Sequence, residues 1–191
     1  MKLILASQSP RRRELLSLLN IPFEVCVSQA DETMEPGAPP EQQVALVSRR
    51  KAEATPRQED QVVIAADTIV VCDGSVMGKP HCREEACQML ERLSGRTHQV
   101  MTGLTVLWGE QCHTCTEITD VTFRSLSRQE IDRYVDSGEP MDKAGAYGIQ
   151  GGAALFAEKL SGDYYNVVGL PVCRLVQVLR SFVPELMEEQ R

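Results

Sequence analysis

Aromatic side chains make up only 5% of this 191-residue chain, and 20 basic residues face 27 acidic ones, for a formal charge of -7. Few aromatics leave little material for stacking bases, and the acidic balance disfavours a broad nucleic-acid-binding face, so no nucleic-acid partner is expected. Long hydrophobic runs are also missing. No apolar stretch reaches the roughly 18 residues that span a bilayer, and Arg11, Arg12 and Arg13 interrupt any leader-like segment, so a cytoplasmic protein with no membrane partner is expected. There is no fixed-period repeat, P-loop or G-x-G-x-x-G after a strand, which removes the common nucleotide cradles. No G-x-S-x-G elbow surrounds Ser7 or Ser9, which weakens a serine-hydrolase reading. Seven cysteines, an odd number, sit mostly within apolar or helical patterns and read as reduced thiols. Cys112 and Cys115 form one C-x-x-C, but in a strand they face opposite sides and no second pair completes a zinc site.

What is present is an ordinary globular composition, 42% hydrophobic and 25% charged, enough to bury one sizeable core over residues 1–191. Strand and helix patterns alternate. Lys2–Ala6, Ile21–Val27 and Val62–Val71 read as strands. Helices are expected over the segment opened by Pro10, with Leu15, Leu16, Leu18 and Leu19 as its apolar face, and over Pro40–Ala54 and Arg83–Leu93. Thr97–Leu107 and Cys112–Phe123 read as a hairpin turning near Gly109. His98 and His113, within those strands, read as satisfied groups at a sheet edge. Ser127–Glu130 is a capping box opening a helix that Gly138 stops, and Ala153–Lys159 reads as a strand. Val172–Phe182 closes the domain as a helix with Leu175, Val176 and Leu179 inward, before a frayed acidic tail. The alternation, with a hairpin, predicts an α/β fold with a mixed sheet.

Three stretches stand out chemically. Val62–Pro80 is a strand-like apolar run carrying one acid, Asp67, and ending in a glycine turn that delivers Lys79. Burying that carboxylate costs several kcal/mol (order of magnitude) unless a cation or hydrogen bonds compensate it, so a partner is required, and a metal-bound phosphate chain is the expected one. Arg11–Arg13 crowd the first turn of a helix capped by Ser9, where the macrodipole disfavours cations; an anion there would reconcile them. Lys51, on a long polar helix face, has a weaker independent claim. Glu139–Gly152 combines Asp142, Lys143, Tyr147 and Gln150 with repeated glycines, which places its backbone close to a ligand or to itself. Acids plus Arg and Lys suit Mg²⁺-assisted phosphoryl chemistry. From the residues alone a phosphate-handling enzyme and a non-catalytic nucleotide- or anion-binding module both stand.

The segments ASQSPRR (6–12), AADTIV (65–70), GKP (78–80), LSGRTHQV (93–100), EPMDKAGAYGIQG (139–151) and GDYYNVVGLP (162–171) resemble, in order, the Maf family of nucleoside triphosphate pyrophosphatases. The resemblance implies a mixed twisted sheet flanked by helices, with two lobes around a cleft, similar to inosine-triphosphate pyrophosphatases. It implies hydrolysis between the α and β phosphates with Mg²⁺ or Mn²⁺, and a homodimer. On this resemblance Asp67 matches the general base, and Arg11, Thr68 and Gln150 match positions that choose the base. The Arg-Arg, Asp-Thr and Gly-Ile-Gln patterns resemble the branch acting on dTTP and UTP. Asp67 and Glu32 are then the expected metal ligands, and Ser7, Arg12, Lys51 and Lys79 the expected substrate contacts.

Overall fold

A computed structural model describes residues 1–27, 29–34 and 37–188, the last of these by its backbone. The Glu35 of the acidic loop and the last three residues of the expected tail lie outside the described residues. Among the described residues the strands form a seven-stranded mixed sheet, in the order β2-β1-β3-β5-β6-β7 with β4 added on β3. They are β1 (Lys2–Leu5), β2 (Phe23–Val25), β3 (Gln61–Cys72), β4 (Ser75–Met77), β5 (Thr97–Trp108), β6 (Gln111–Phe123) and β7 (Ala157–Ser161). β1 runs parallel to both β2 and β3, whereas the β3–β4 and β6–β7 pairs are antiparallel. Helices α1 (Pro10–Ser17), α2 (Pro40–Glu53), α3 (Arg83–Leu93), α4 (Arg128–Asp136), α5 (Tyr164–Val168), α6 (Val172–Phe182) and α7 (Pro184–Glu188) complete the α/β fold. No helix among the described residues is long and apolar enough to cross a membrane.

The chain divides into two compact units. The first comprises Met1–Asp67, Thr102–Glu117 and Gly169–Arg191, and the second Thr68–Met101 and Ile118–Val168. The division falls within β3, between Asp67 and Thr68.

In the first unit, β1 and the start of β3 bury nearly every side chain, as continuous apolar runs in parallel strands require. Residues Ile4, Ala6, Ala52, Val63, Ala65 and Leu107 pack as one core cluster. Helix α2 lies close upon β5 because Gly103 has no side chain: a Cβ there would fall 2.2 Å from the Val44 carbonyl oxygen. One turn along, Ser48 Oγ and Thr105 Oγ1 are 2.8 Å apart, so two buried hydroxyls satisfy each other beneath the helix. Leu15 and Leu16 of α1 are buried as expected, but Leu18, which follows the last helical turn, is 55% exposed. In α6 the inward set is Leu175, Val178 and Leu179, with Val176 only half-buried; the apolar stripe follows the 175–178–179 spacing of a helix face. After it, Pro184–Glu188 is helical with Leu186 buried, rather than frayed.

In the second unit, β3 continues into a tight hairpin to β4 at Asp73-Gly74, both with positive φ (50° and 71°), the geometry expected of Asp-Gly between paired strands. The β5–β6 hairpin shows its register in its side chains. Thr97 meets Thr122 at 2.8 Å, Gln99 meets Asp120 at 3.2 Å and, in the first unit, Thr105 meets Thr114 at 3.0 Å. The capping box at the start of α4 is complete, with Ser127 and Glu130 each bonding the other's backbone. Glu139–Gly152 forms three short 3-10 turns, the last (Gly152–Leu155) replacing the strand expected from Ala153 onward; β7 begins only at Ala157. His98 is not at a sheet edge. It is 2% exposed, with Nε2 at 2.8 Å from the Tyr147 hydroxyl and its ring edge-on to Phe123.

Candidate active site

The first unit brings together most of the residues expected to handle phosphate. The Ser7–Ser9 loop leaves β1 and enters α1 through Pro10, whose missing N–H costs nothing at the first helical position. Ser9 Oγ accepts the Arg12 amide (3.4 Å), fixing the start of the helix. Ser7 Oγ accepts both the Ser9 amide (3.2 Å) and Arg12 Nη1 (3.3 Å), while Arg12 Nε donates to the Gly169 carbonyl (2.8 Å). The arginine is thus held in a fixed fork rather than left as a mobile surface cation. Burial pulls its guanidinium down from its ordinary range, opposed by the negative charge of Asp67 and, more weakly, of Glu32, with Arg11 adding to the downward pull. That set of mutual influences puts Arg11, Arg12, Glu32 and Asp67 in one electrostatic neighbourhood.

The partner that Asp67 requires is Lys51. Its Nζ donates to Asp67 Oδ1 at 2.6 Å and lies 3.1 Å from Glu32 Oε1. The Lys51 and Asp67 side chains are 11% and 14% exposed, whereas that of Glu32 is 63% exposed. A close, partly desolvated pair on rigid elements, a helix and a strand, resists the averaging that weakens surface ion pairs. Lys51 therefore stands at the centre of this cluster of charges. Its place was readable: Val44, Val47, Ser48, Lys51 and Ala52 are the buried residues of α2, and they follow one helical stripe. A lysine falling on that stripe, rather than on the polar face, is the signal that residue type alone conceals.

The second unit carries the expected site residues Thr68, Lys79 and Gln150. Thr68 follows Asp67 directly in β3 and is partly exposed. Lys79 is exposed in the turn after β4, and that turn is tied to the glycine-rich segment, since Gly145 N donates to the Gly78 carbonyl at 3.0 Å. Gln150 is exposed in the turn between Gly148 and Gly151. Lys143 is satisfied within its own segment, by the Glu139 carbonyl (2.6 Å) and Asp142 Oδ1 (2.7 Å).

The glycines of that segment are explained by the chain itself. A Cβ on Gly145 would press into Val70 at 2.9 Å, one on Gly148 into Lys143 at 2.7 Å, and one on Gly151 into the Glu139 carboxylate at 2.0 Å. Of the two readings open from sequence, backbone near a ligand or near itself, close self-packing accounts for these three positions.

No group of three or more His, Cys, Asp or Glu residues that could hold a metal occurs among the described residues, and all seven cysteines are free thiols. Cys112 and Cys115 both lie in β6. What the site does offer a hard cation is a pair of carboxylates, Asp67 and Glu32, gathered on one ammonium group.

Comparisons with known proteins show what the chain is similar to. The family model described as Maf-like protein matches residues 2–182. The dTTP/UTP pyrophosphatase of Bacillus velezensis is 50% identical over 182 residues, covering 95% of this chain and 96% of that protein. That of Symbiobacterium thermophilum is 53% identical over 182 residues, covering 95% and 94%. Among solved structures, a HAM1 protein from Coxiella burnetii matches with a TM-score of 0.47 and 15% identity, covering 95% of this chain and 99% of that one.

Proposed function

The chain belongs to the Maf family, and we propose that it is a dTTP/UTP pyrophosphatase, cleaving a nucleoside triphosphate between the α and β phosphates to the monophosphate and pyrophosphate. The relatives at 50% and 53% identity bear that activity in their names and are covered almost end to end. The observation that carries the reading into this chain's own chemistry is the Lys51–Asp67 pair, a carboxylate fixed in orientation beside the Arg12 fork.

In this reading Asp67 is the general base. Lys51 holds one carboxylate oxygen, which leaves the other to take a proton from, and aim, the water that attacks the α phosphorus. Arg12, Lys51 and Lys79 neutralise charge on the triphosphate and on the departing pyrophosphate, and Ser7 keeps Arg12 in place to do so. Arg11, Thr68 and Gln150 meet the base or ribose end; arginine and glutamine are fork-like hydrogen-bonders suited to a base edge.

The donors fit a divalent cation of the Mg²⁺ or Mn²⁺ kind. Mg²⁺ is commonly held by one or two carboxylates plus substrate phosphates and water rather than by an all-protein cage. Asp67 and Glu32 would hold it, and when bound it supplies polarisation of the phosphoryl oxygens. Because a carboxylate does not easily serve as sole metal ligand and free base at once, Glu32 shares that duty. A homodimer, in a cytoplasmic setting, completes the proposal; the family resemblance supports the dimer and seven unpaired thiols support the setting.

The test is a panel of triphosphates incubated with Mg²⁺ and read by product identity. Monophosphate and pyrophosphate from dTTP and UTP are expected, with Asp67→Asn reducing the rate about 100-fold or more while leaving the fold intact. Orthophosphate as the product, or near-wild-type turnover by Asp67→Asn, would refute the assignment.

A further inference from the structure

Two glycine amides bracket Gln150, and one acid–phenol pair binds both. Gly148 N donates to the Tyr134 hydroxyl at 3.0 Å, and Gly152 N donates to Glu139 Oε2 at 3.0 Å. Tyr134 itself donates to Glu139 Oε1 at 2.9 Å, closing the brace. Between the two anchors, Gly151 N donates to the Gly148 carbonyl at 3.1 Å, so the turn that carries Gln150 is held at both ends and across its middle.

The supporting pieces are rigid. Tyr134 is a buried residue of α4, and its ring packs edge-on against Phe156 at 5.1 Å. Burial, aided by the Glu139 charge and opposed by the Gly148 amide, pushes the phenol upward, so it stays protonated and able to donate. Glu139 follows the left-handed Gly138 (φ 75°), which turns the chain out of α4 and back toward the segment. Gly151 has no side chain where the Glu139 carboxylate lies, which lets an acid reach across the turn. One part-buried hydrogen bond to a phenol before the glutamine and one charge-assisted hydrogen bond to a carboxylate after it fix the backbone from which the Gln150 side chain extends.

The geometry points to Glu139 and Tyr134 as positioning residues for base selection, holding the Gly148–Gly152 backbone in the shape that presents Gln150. This rests on the reading of Gln150 as a base contact. Neither residue touches substrate; both act through the turn. Glu139→Gln keeps size and shape but replaces one accepting oxygen with a donor, so either the Gly152 amide or the tyrosine loses its acceptor.

The experiment measures kcat and KM on dTTP, UTP and CTP for the wild-type chain, Gln150→Ala, Glu139→Gln, the double variant and Tyr134→Phe. Gln150→Ala is expected to change the dTTP-to-CTP preference about tenfold, and Glu139→Gln about threefold to tenfold in the same direction, chiefly through KM. The double variant should shift no further than Gln150→Ala, since the brace has nothing left to present. Tyr134→Phe, which keeps the ring packed, should give a smaller shift of the same sign. Equal losses on all three nucleotides in Glu139→Gln, or a double variant whose preference change is the product of the two single ones, would overturn the inference while leaving Gln150 in its role. A Gln150→Ala protein with unchanged preference would overturn the assignment of Gln150 itself, and the positioning role with it.

Discussion

Lys51 reaches from α2 to Asp67 in the middle of β3 and closes a 2.6 Å ion pair, the contact that lets a carboxylate sit within an otherwise apolar strand. The pair bears on stability directly and, in the proposed mechanism, on catalysis. Removing only the cation leaves a poorly solvated charge behind, and removing both leaves none.

Lys51→Met should therefore lower stability by roughly 1–3 kcal/mol and cut kcat/KM by about 100-fold or more, because the proposed base loses its orientation and the proposed phosphate contact goes with it. Lys51→Met combined with Asp67→Asn should be more stable than Lys51→Met alone, though equally inactive. Urea unfolding of the three proteins checks the sign; a double variant less stable than Lys51→Met would show that the pair is not the source of the cost.

Arg12→Lys tests the fork. Lysine keeps the charge but replaces the two separate nitrogens with which Arg12 bonds the Gly169 carbonyl and the Ser7 hydroxyl, at 2.8 and 3.3 Å, by one ammonium on a flexible stem. A loss of about tenfold or more in kcat/KM is expected, with little change in nucleotide preference. Full activity would mean that charge alone suffices at this position.

These two residues also show what was legible beforehand. Arg12 was readable because three arginines in the first turn of a capped helix oppose the macrodipole, and Asp67 because an acid interrupted an apolar run. Element order and most helices followed from apolar period and caps, down to the Ser127–Glu130 box and the Asp73-Gly74 hairpin. Lys51 was underrated because its helix was taken for its charges rather than its stripe. The glycine-rich segment was the least legible. Its glycines serve contacts with Val70, Lys143 and Glu139, and such self-packing has no period in the sequence. His98 was misplaced at an edge for a related reason: what buries it is Tyr147 and Phe123, far along the chain.

His98 makes an acid-sensitivity prediction. Burial pulls its imidazole down to about 4 from 6.5, and Nδ1 has no hydrogen-bond partner among the described residues. The folded chain keeps it neutral, whereas the unfolded chain protonates it below pH 6.5. Stability is thus fully present above 6.5 and is lost as pH falls toward 4, by up to roughly 3 kcal/mol. His98→Gln, which can still bond the Tyr147 hydroxyl but does not titrate, should flatten that part of the curve. Identical pH slopes in the two proteins, from urea midpoints between pH 7 and 4.5, would refute it.

Gly103→Ala tests the packing of α2 on β5. The added methyl meets the Val44 carbonyl oxygen at 2.2 Å, and because that oxygen is backbone neither element can yield without shifting. A loss of roughly 3 kcal/mol or more is expected, along with lower activity, since α2 carries Lys51. A wild-type melting temperature would contradict that close approach.

Hydrolysis of dTTP in ¹⁸O-water, with Mg²⁺ present, goes most directly to the chemistry assigned to Asp67, because it reports both the bond broken and the phosphorus attacked. The expected products are a monophosphate carrying one ¹⁸O and an unlabelled pyrophosphate, formed about 100-fold or more slowly by Asp67→Asn. A diphosphate with labelled orthophosphate, or label in the pyrophosphate, would contradict attack at the α phosphorus.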